Sequence, residues 1–372
     1  MDLKPMFLIS YVPLGYGSPQ FLYLINNIKK SRPEYDICVF ETFRFWIPFV
    51  ELNDVDFKRV FVGRKFGKYL LKLKNKGIIF RILNYVNTLL SSICSNAYLI
   101  MMSYSKEITV IVTEPKIFYT FFSKKTKLIE YNLEVWEEET KTNNKLLSYR
   151  NRVDAVIFPQ IDRLNLGKIN YNPNTRCYLI ENCCSLETTN PINSNKYNEL
   201  KVIFSGKIGA SGSFPELKLM IDHFNSNGVE VNIVGNFESS IETEARDFIS
   251  KKENVIYHGF LKNTELRKLI SNCNIGLISW KNNSINTMYC APNKLYEYMS
   301  EGLFVISLDN VAMHDFHSKY GFGYVFEDES ISFSKINLSS NNIKSIGMSN
   351  FRIVRDSLNY EAVSAKFIEM EL

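Results

Sequence analysis

Short runs of Val, Ile, Leu, Phe and Tyr, each closed by a turn residue, recur along this chain and leave it few folds to choose from. The first half carries "MFLISYVP", "DICVFE", "TVIVTEP", "KLIEYN", "AVIFPQ" and "CYLIEN", and the second "LKVIFSG", "VEVNIVG", "VIYHGF", "CNIGLISW" and "LFVISL". Most are continuously apolar, the pattern of strands covered on both faces. Between them lie segments of helical spacing: "FPELKLMIDHFNSNG" puts Leu217, Met220, Ile221 and Phe224 on one face and stops at Asn-Gly. Strand, helix, strand order predicts an α/β fold with a parallel, doubly wound sheet.

The pattern runs twice. Residues 185–199, "SLETTNPINSNKYNE", are polar and rich in Asn, Ser and Thr, which is linker composition. We therefore expect two Rossmann-like domains: residues 1–188, joined by a returning C-terminal helix over 350–372, and residues 189–349. A crevice between two such domains is where a ligand is expected. With 372 residues, 45% hydrophobic and 14% aromatic, the chain can fill both cores.

Composition narrows the function classes. The opening apolar run ends at Pro13, too short for a signal segment or a span, and no stretch of about 18 uncharged apolar residues follows. A cytoplasmic protein is expected. The seven cysteines are scattered without a CxxC pair, which argues against a disulfide framework and a zinc site, and the vicinal Cys183 and Cys184 read as small buried residues. The histidines stand at 223, 258, 314 and 317, so the first half has no His for metal or base chemistry. The net charge of +5 is modest but uneven: Lys58, Arg59, Arg64, Lys65, Lys68, Lys72, Lys74, Lys76 and Arg81 fall in residues 58–81 with no acid among them.

Two strand ends carry residues suited to a phosphorylated ligand. In a parallel sheet, ligands bind beyond the carboxyl ends of the strands, where free N–H groups at a helix start favour phosphate. "VIFSGKIGASGSFPEL" ends a strand with Gly206 and Lys207 and runs through further Gly and Ser residues to a helix near Pro215. Neither GxxxxGK[ST] nor GxGxxG occurs. "MYCAPNKLYEYMSEG" places Pro292 at a helix start, Leu295 and Met299 toward the core, and Gly302 as the stop. Lys294 sits in the first turn, where the dipole disfavours a cation unless an anion compensates it. Glu297, one turn on, is expected half-buried, and its carboxylate can accept two hydrogen bonds from a diol such as ribose.

"APNKLYEYMSEGLFVI" resembles the nucleotide-binding segment of GT-B glycosyltransferases of the retaining, family-four type, which reads P-x-K-x-x-E-x-x-A-x-G-x-P-V-I. "VIFSGKI", "VNIVGN" and "VIYHGFLKNTELRKLISNCNIGLIS" are similar to the segments around it, so residues 150–310 carry most of the likeness. The resemblance implies a nucleotide-diphosphate-sugar donor held by Gly206, Lys207, Phe260, Leu261, Tyr289, Pro292, Asn293, Lys294, Leu295 and Glu297. Among these, Lys207 would meet the diphosphate and Glu297 the ribose, the two residues given catalytic weight. In the first domain "PLGYGSPQF" resembles the family's Gly-rich loop, so Gly15, Tyr16 and Gly17 would approach the sugar or the phosphates. Two positions depart from the family. Tyr289 stands where the first glutamate of E-x7-E is usual, and "IGASG" replaces the second basic residue after Lys207.

An inverting transferase needs a side-chain base, for which Glu114, Glu130 and Glu134 stand at or just after predicted strand ends. A retaining reaction lets a phosphate oxygen of the leaving nucleotide take the acceptor proton, while Lys207 and helix N-termini stabilise the diphosphate. Retention is the favoured course. The DxD pair Asp54 and Asp56 lacks the apolar strand that would precede a metal-holding motif, so no metal or other cofactor is expected.

The basic stretch interleaves its cations with Phe, Leu, Ile and Tyr, the make-up of an interfacial amphipathic helix at an anionic membrane surface; no nucleic-acid-reading module accompanies it. The combined expectation is a cytoplasmic glycosyltransferase, peripheral at the inner membrane face, acting on a saccharide or lipid-linked acceptor in bacterial surface-polysaccharide synthesis. A nucleotide-sugar epimerase of the same fold, or a non-catalytic nucleotide-binding or scaffold subunit, are the alternatives.

Overall fold

A computed structural model of the chain describes residues 3–10, 14, 19–42, 58–62, 65, 77–113, 125–133, 148–188, 192–209, 214–280, 282, 284–290, 292–326 and 331–372. They fall into two compact units, Met1–Glu181 with Val363–Leu372, and Asn182–Ala362.

In the first unit β1 (Lys4–Ser10), β2 (Tyr35–Thr42), β3 (Lys58–Val62), β4 (Ile108–Thr113), β5 (Thr126–Tyr131), β6 (Ala155–Phe158) and β7 (Arg176–Leu179) form one parallel sheet in the order β3-β2-β1-β4-β5-β6-β7. The central β4 and the interior β6 are buried at every residue, the physical reason their sequences are apolar without alternation. Among the described residues this unit includes the helices α1 (Pro19–Ser31), α2 (Gly77–Ser105) and α3 (Ile161–Gly167). On α1, Phe21, Leu24, Ile25 and Ile28 are buried at helical spacing.

β3 corrects one expectation. Its "KRVFV" opens the basic stretch read as an interfacial helix, but it pairs with β2 from Cys38↔Lys58 to Thr42↔Val62. Arg59 is committed inward: its guanidinium donates to both carboxylate oxygens of Glu41, which is fully buried and also accepts the Leu14 N–H at 2.5 Å.

In the second unit β8 (Lys201–Ser205), β9 (Glu230–Val234), β10 (Val255–Gly259), β11 (Ile275–Ile278), β12 (Phe304–Ser307) and β13 (Gly323–Val325) are parallel in the order β10-β9-β8-β11-β12-β13. Its helices are α4 (Phe214–Ser226), α5 (Glu242–Ser250), α6 (Asn263–Asn272), α7 (Ile285–Met288), α8 (Asn293–Ser300), α9 (Val311–Tyr320) and α10 (Ser340–Asp356). Leu217, Met220, Ile221 and Phe224 of α4 join Val202, Phe204, Val231 and Ile233 in its core.

The seams differ in place from the 188/189 and 350 boundaries expected. α10 stays with the second unit: Ile343 and Val354 are fully buried, and the Asn350 side-chain amide donates to Leu303 O at 2.7 Å and Phe322 O at 2.9 Å. Gly302 and Gly347 let α10 cross close to the end of α8, since a Cβ on Gly347 would lie 2.3 Å from Gly302 O. The last residues of α11 (Tyr360–Glu371) belong to the first unit. There Glu371, fully buried, accepts from the Tyr178 hydroxyl at 2.5 Å and pairs with Arg176 at 2.8 Å and Lys127 at 2.9 Å.

Candidate functional site

All six strands of the second unit point the same way, so the segments following β8, β9, β10 and β11 leave one edge of its sheet. Two of these exits are laced together. The Gly206 N–H donates to Val234 O, Ile208 N–H to Asn236 O and Glu238 N–H back to Ile208 O, at 3.0, 3.0 and 2.8 Å. Gly235 packs so tightly on Gly206 that a Cβ would sit 1.8 Å from its carbonyl oxygen, and φ of 135° at Gly235 is itself a glycine conformation. Lys207 projects from this ribbon, 71% exposed, with its ammonium 2.6 Å from Glu238 Oε1. Glu238 lies over Gly209, where a Cβ would meet the carboxylate at 2.4 Å. Such an exposed pair contributes at most about 1 kcal/mol, so an incoming anion can compete for the lysine.

The second exit is α8. Pro292 occupies the N-cap with φ −70°, pre-set by its ring, and ψ 149°, and the first turn holds no acid. Leu295, Tyr296, Tyr298 and Met299 are buried and hold the helix on the sheet. This orients Lys294 and Glu297 outward together, 2.6 Å apart, with 26% and 27% of their side chains exposed. The carboxylate one turn on thus offsets the unfavourable position of Lys294 near the positive helix end. Cys184 lies near the inner side of Glu297: burial, then the Glu297 charge, push its thiol up to about 12.

Tyr298 joins the two exits. Its hydroxyl accepts the Ser205 N–H at 2.9 Å and bonds Ser205 Oγ at 3.0 Å, while its ring lies where a Cβ on Gly276 would come within 2.4 Å. Burial raises its pKa strongly, so it stays a neutral phenol. From the far side the Tyr257 hydroxyl donates to Gly235 O at 2.8 Å, just before Gly259, at φ 65°, turns the chain out of β10. Phe260 follows it, 59% exposed, and Leu261 is half-buried. Tyr289 closes α7 by donating its N–H to Ile285 O at 3.2 Å. Asn310 ties the neighbouring Cys290 O, at 3.4 Å, to the start of α9, where its Oδ1 accepts the Met313 N–H at 2.7 Å.

Lys207, Gly206, Lys294 and Glu297 are therefore linked through a short chain of contacts. Glu238, Tyr298, Tyr257 and Asn310 were not singled out from sequence. Only Glu238 had a signal, since "VGNFE" leaves β9 with a glycine as "SGKIG" leaves β8.

The first unit answers differently. Glu130, one of the three bases considered for an inverting reaction, is fully buried with Arg150 Nη2 4.0 Å away. The Arg150 guanidinium stands 4.9 Å over the Tyr171 ring, and Asn132 donates to the Tyr171 hydroxyl at 3.3 Å. Burial, then the Glu130 charge, push the Tyr171 pKa well up. Glu130 is an interior ionic partner rather than an accessible base. Gly15, Tyr16, Gly17, Asp54, Asp56, Glu114 and Glu134 lie outside the described residues. Among the described residues no group of three or more His, Cys, Asp or Glu is arranged for a metal ion, and no helix is long and apolar enough to cross a membrane.

No family profile and no curated protein matches the sequence. Solved structures do match it in fold over nearly its whole length. TarM is similar with a TM-score of 0.66 at 11% identity, covering 99% of each chain. HepE from Anabaena, in complex with UDP and glucose, gives 0.56 at 10% identity over 98% of each. WaaG, a glycosyltransferase involved in lipopolysaccharide biosynthesis, gives 0.55 at 11% identity over 98% of this chain and 99% of its own. At such identities the likeness concerns architecture: two parallel α/β units in the GT-B fold.

Proposed function

We propose that this chain is a glycosyltransferase that takes a sugar from a nucleotide-diphosphate donor held at the exits of β8 and α8. The observation that carries the reading is the coupling of Lys207 to Lys294 and Glu297 through Ser205 and Tyr298. It sets two cations and a carboxylate on one sheet edge, beside glycines that let a phosphate approach the backbone. Lys207 would leave Glu238 for the diphosphate, Lys294 and the start of α8 would meet the phosphates and sugar, and Glu297 would accept from the ribose hydroxyls. Phe260 and Leu261 would border the base. Charge on the departing diphosphate is then stabilised by lysines and helix N–H groups, and the reading gives no role to a metal.

We further propose a retaining course, in which a phosphate oxygen takes the acceptor proton. The burial of Glu130 supports it by leaving that carboxylate out of reach. HepE, with UDP and glucose bound, makes uridine diphosphate the first nucleotide to try, and WaaG makes a surface-polysaccharide setting with a saccharide or lipid-linked acceptor a reasonable one. Tyr289, in place of a usual glutamate, favours a second reading as a subunit that binds a nucleotide without turning it over.

Calorimetric titration with UDP, GDP, dTDP and CMP tests the donor site. One nucleoside diphosphate should bind, and Lys207→Ala and Glu297→Ala should each weaken it about tenfold, as loss of a charge-assisted hydrogen bond implies. No binding by any of the four would remove the proposal's main support.

A further inference from the structure

The donor site leaves one of its carboxylates without a task. Glu297 has the ribose, but Glu238 stands 2.6 Å from Lys207, the cation meant for the diphosphate. The two meet across 31 residues, and their contact is built from the backbone up. Phe237 bridges in parallel to Ile208, the Ile208 N–H donates to Asn236 O at 3.0 Å, and the Glu238 N–H donates back to Ile208 O at 2.8 Å. Ile208 is itself buried, which holds this ribbon on the sheet, and Glu238 O accepts the Ile241 N–H at 3.1 Å. The backbone of Glu238 is thus fixed, and any exchange falls to its side chain.

That side chain fills a particular space. A Cβ on Gly209 would lie 2.4 Å from the Glu238 carboxyl carbon and 2.6 and 2.7 Å from its two oxygens, so the carboxylate lies face-on against the Gly209 backbone. The φ of Gly209 is outside the left-handed region, so what this glycine supplies is room rather than conformation. Room beside a backbone is what a phosphate needs, and carboxylate and phosphate oxygens both accept from a lysine ammonium. Lys207 is 71% exposed and Glu238 26%, so the lysine arm meets solvent while the carboxylate is the sheltered partner. A diphosphate drawn to Lys207 therefore meets a like charge already in place.

We propose that Glu238 is an internal competitor for the donor's diphosphate: its carboxylate holds Lys207 and covers Gly209, and a phosphate binds by displacing it from both. Acting through Lys207, it is a positioning residue that sets how tightly the donor is held. This role rests on the donor-site reading above and gives it a sign, since removing this acid should tighten binding where removing Lys207 or Glu297 loosens it. The full chain would be titrated calorimetrically with UDP and with inorganic pyrophosphate, as wild type, Glu238→Gln, Lys207→Ala and the double variant of these two. Glutamine keeps the shape over Gly209 and removes the charge, so thermal melting should stay close to wild type; Glu238→Ala is the second variant if the first fails to fold. Glu238→Gln should bind both ligands about fivefold more tightly, the worth of an exposed ion pair, and the gain should vanish in the Lys207→Ala background. A residue that merely shapes the ribbon would give no gain. Ligands that bind the wild type and bind Glu238→Gln no better, or a gain that persists without Lys207, would overturn the proposal and leave the donor-site reading standing. Failure of both ligands to bind either the wild type or Glu238→Gln would sink the two together.

Discussion

The Tyr298 hydroxyl accepts the Ser205 N–H at 2.9 Å, and that bond fastens the helix bearing Lys294 and Glu297 to the strand end bearing Gly206 and Lys207. Both partners are buried, so the bond is unscreened and its loss leaves a buried N–H without its partner.

Tyr298→Phe keeps the ring over Gly276 and removes the hydroxyl that Ser205 N–H and Ser205 Oγ both meet. Stability should fall by about 1–3 kcal/mol in denaturant titration. Nucleotide affinity should fall as well, even where the variant is fully folded. A variant with lowered stability and unaltered affinity would show that the tyrosine serves the core and not the site.

Glycines at two turns should respond unequally. Gly228, at φ 70°, has nothing within 4 Å of a built Cβ, so Gly228→Ala should cost about 1 kcal/mol, from backbone strain alone. Gly235→Ala drives a methyl into Gly206 O, at 1.8 Å, and should cost more than about 3 kcal/mol or prevent folding. Equal melting temperatures for the two variants would contradict the packed Gly206–Gly235 contact.

Glu371 makes the C-terminus part of the first unit. Glu371→Ala removes the partner of Arg176, Lys127 and the buried Tyr178 hydroxyl at once. Because both cations are partly exposed and can regain water, the expected loss is about 2 kcal/mol rather than the full cost of breaking a buried pair. Proteolysis of the variant should begin in the first unit; a melting curve identical to wild type would refute the anchoring role.

The pH dependence of stability should carry the mark of Lys196. Burial lowers its pKa from the ordinary 10.5 to about 8, against the opposing pull of Glu301, and its ammonium donates to Glu301 O at 2.5 Å. Between those two values the unfolded chain binds more protons than the folded one, so stability rises with pH, and the penalty is complete below about 8. Cys184 and Cys273, raised by burial from 9.0 to about 12, act in the opposite direction above about 9, and Tyr178 and Tyr197, raised to about 12, above their ordinary 10, which leaves the window between about pH 8 and 9 readable. Lys196→Met should flatten the rise between about pH 8 and 9. A variant that keeps the wild-type slope would assign it to another group.

Much of this was legible without coordinates. Each of the eleven apolar runs became a strand, and Leu295, Met299 and Gly302 took the inward and stop positions that spacing assigned them. Two strands escaped notice. β3 lies among cations at the sheet edge, and β13 is three residues long and begins with Gly323, so neither has the apolar run that betrays a covered strand. Glu130 looked accessible because it sits near a strand end; Arg150 and Tyr171 close over it.

Local chemistry thus determined the elements, their parallel order of use and the two segments suited to phosphate, because periodicity, caps and turn residues act within a few positions. Tertiary structure alone decided which side chains meet: Lys207 finds Glu238 across 31 residues, and Ser205 finds Tyr298 across 93. The outward apolar face of α2 belongs with these, because the residues a helix buries are chosen by the surface it packs on. Among its described residues Leu99 and Met102 join the core of the first unit and Ser91 bonds Val62 O, while Ile82 and Ile93 stay outside.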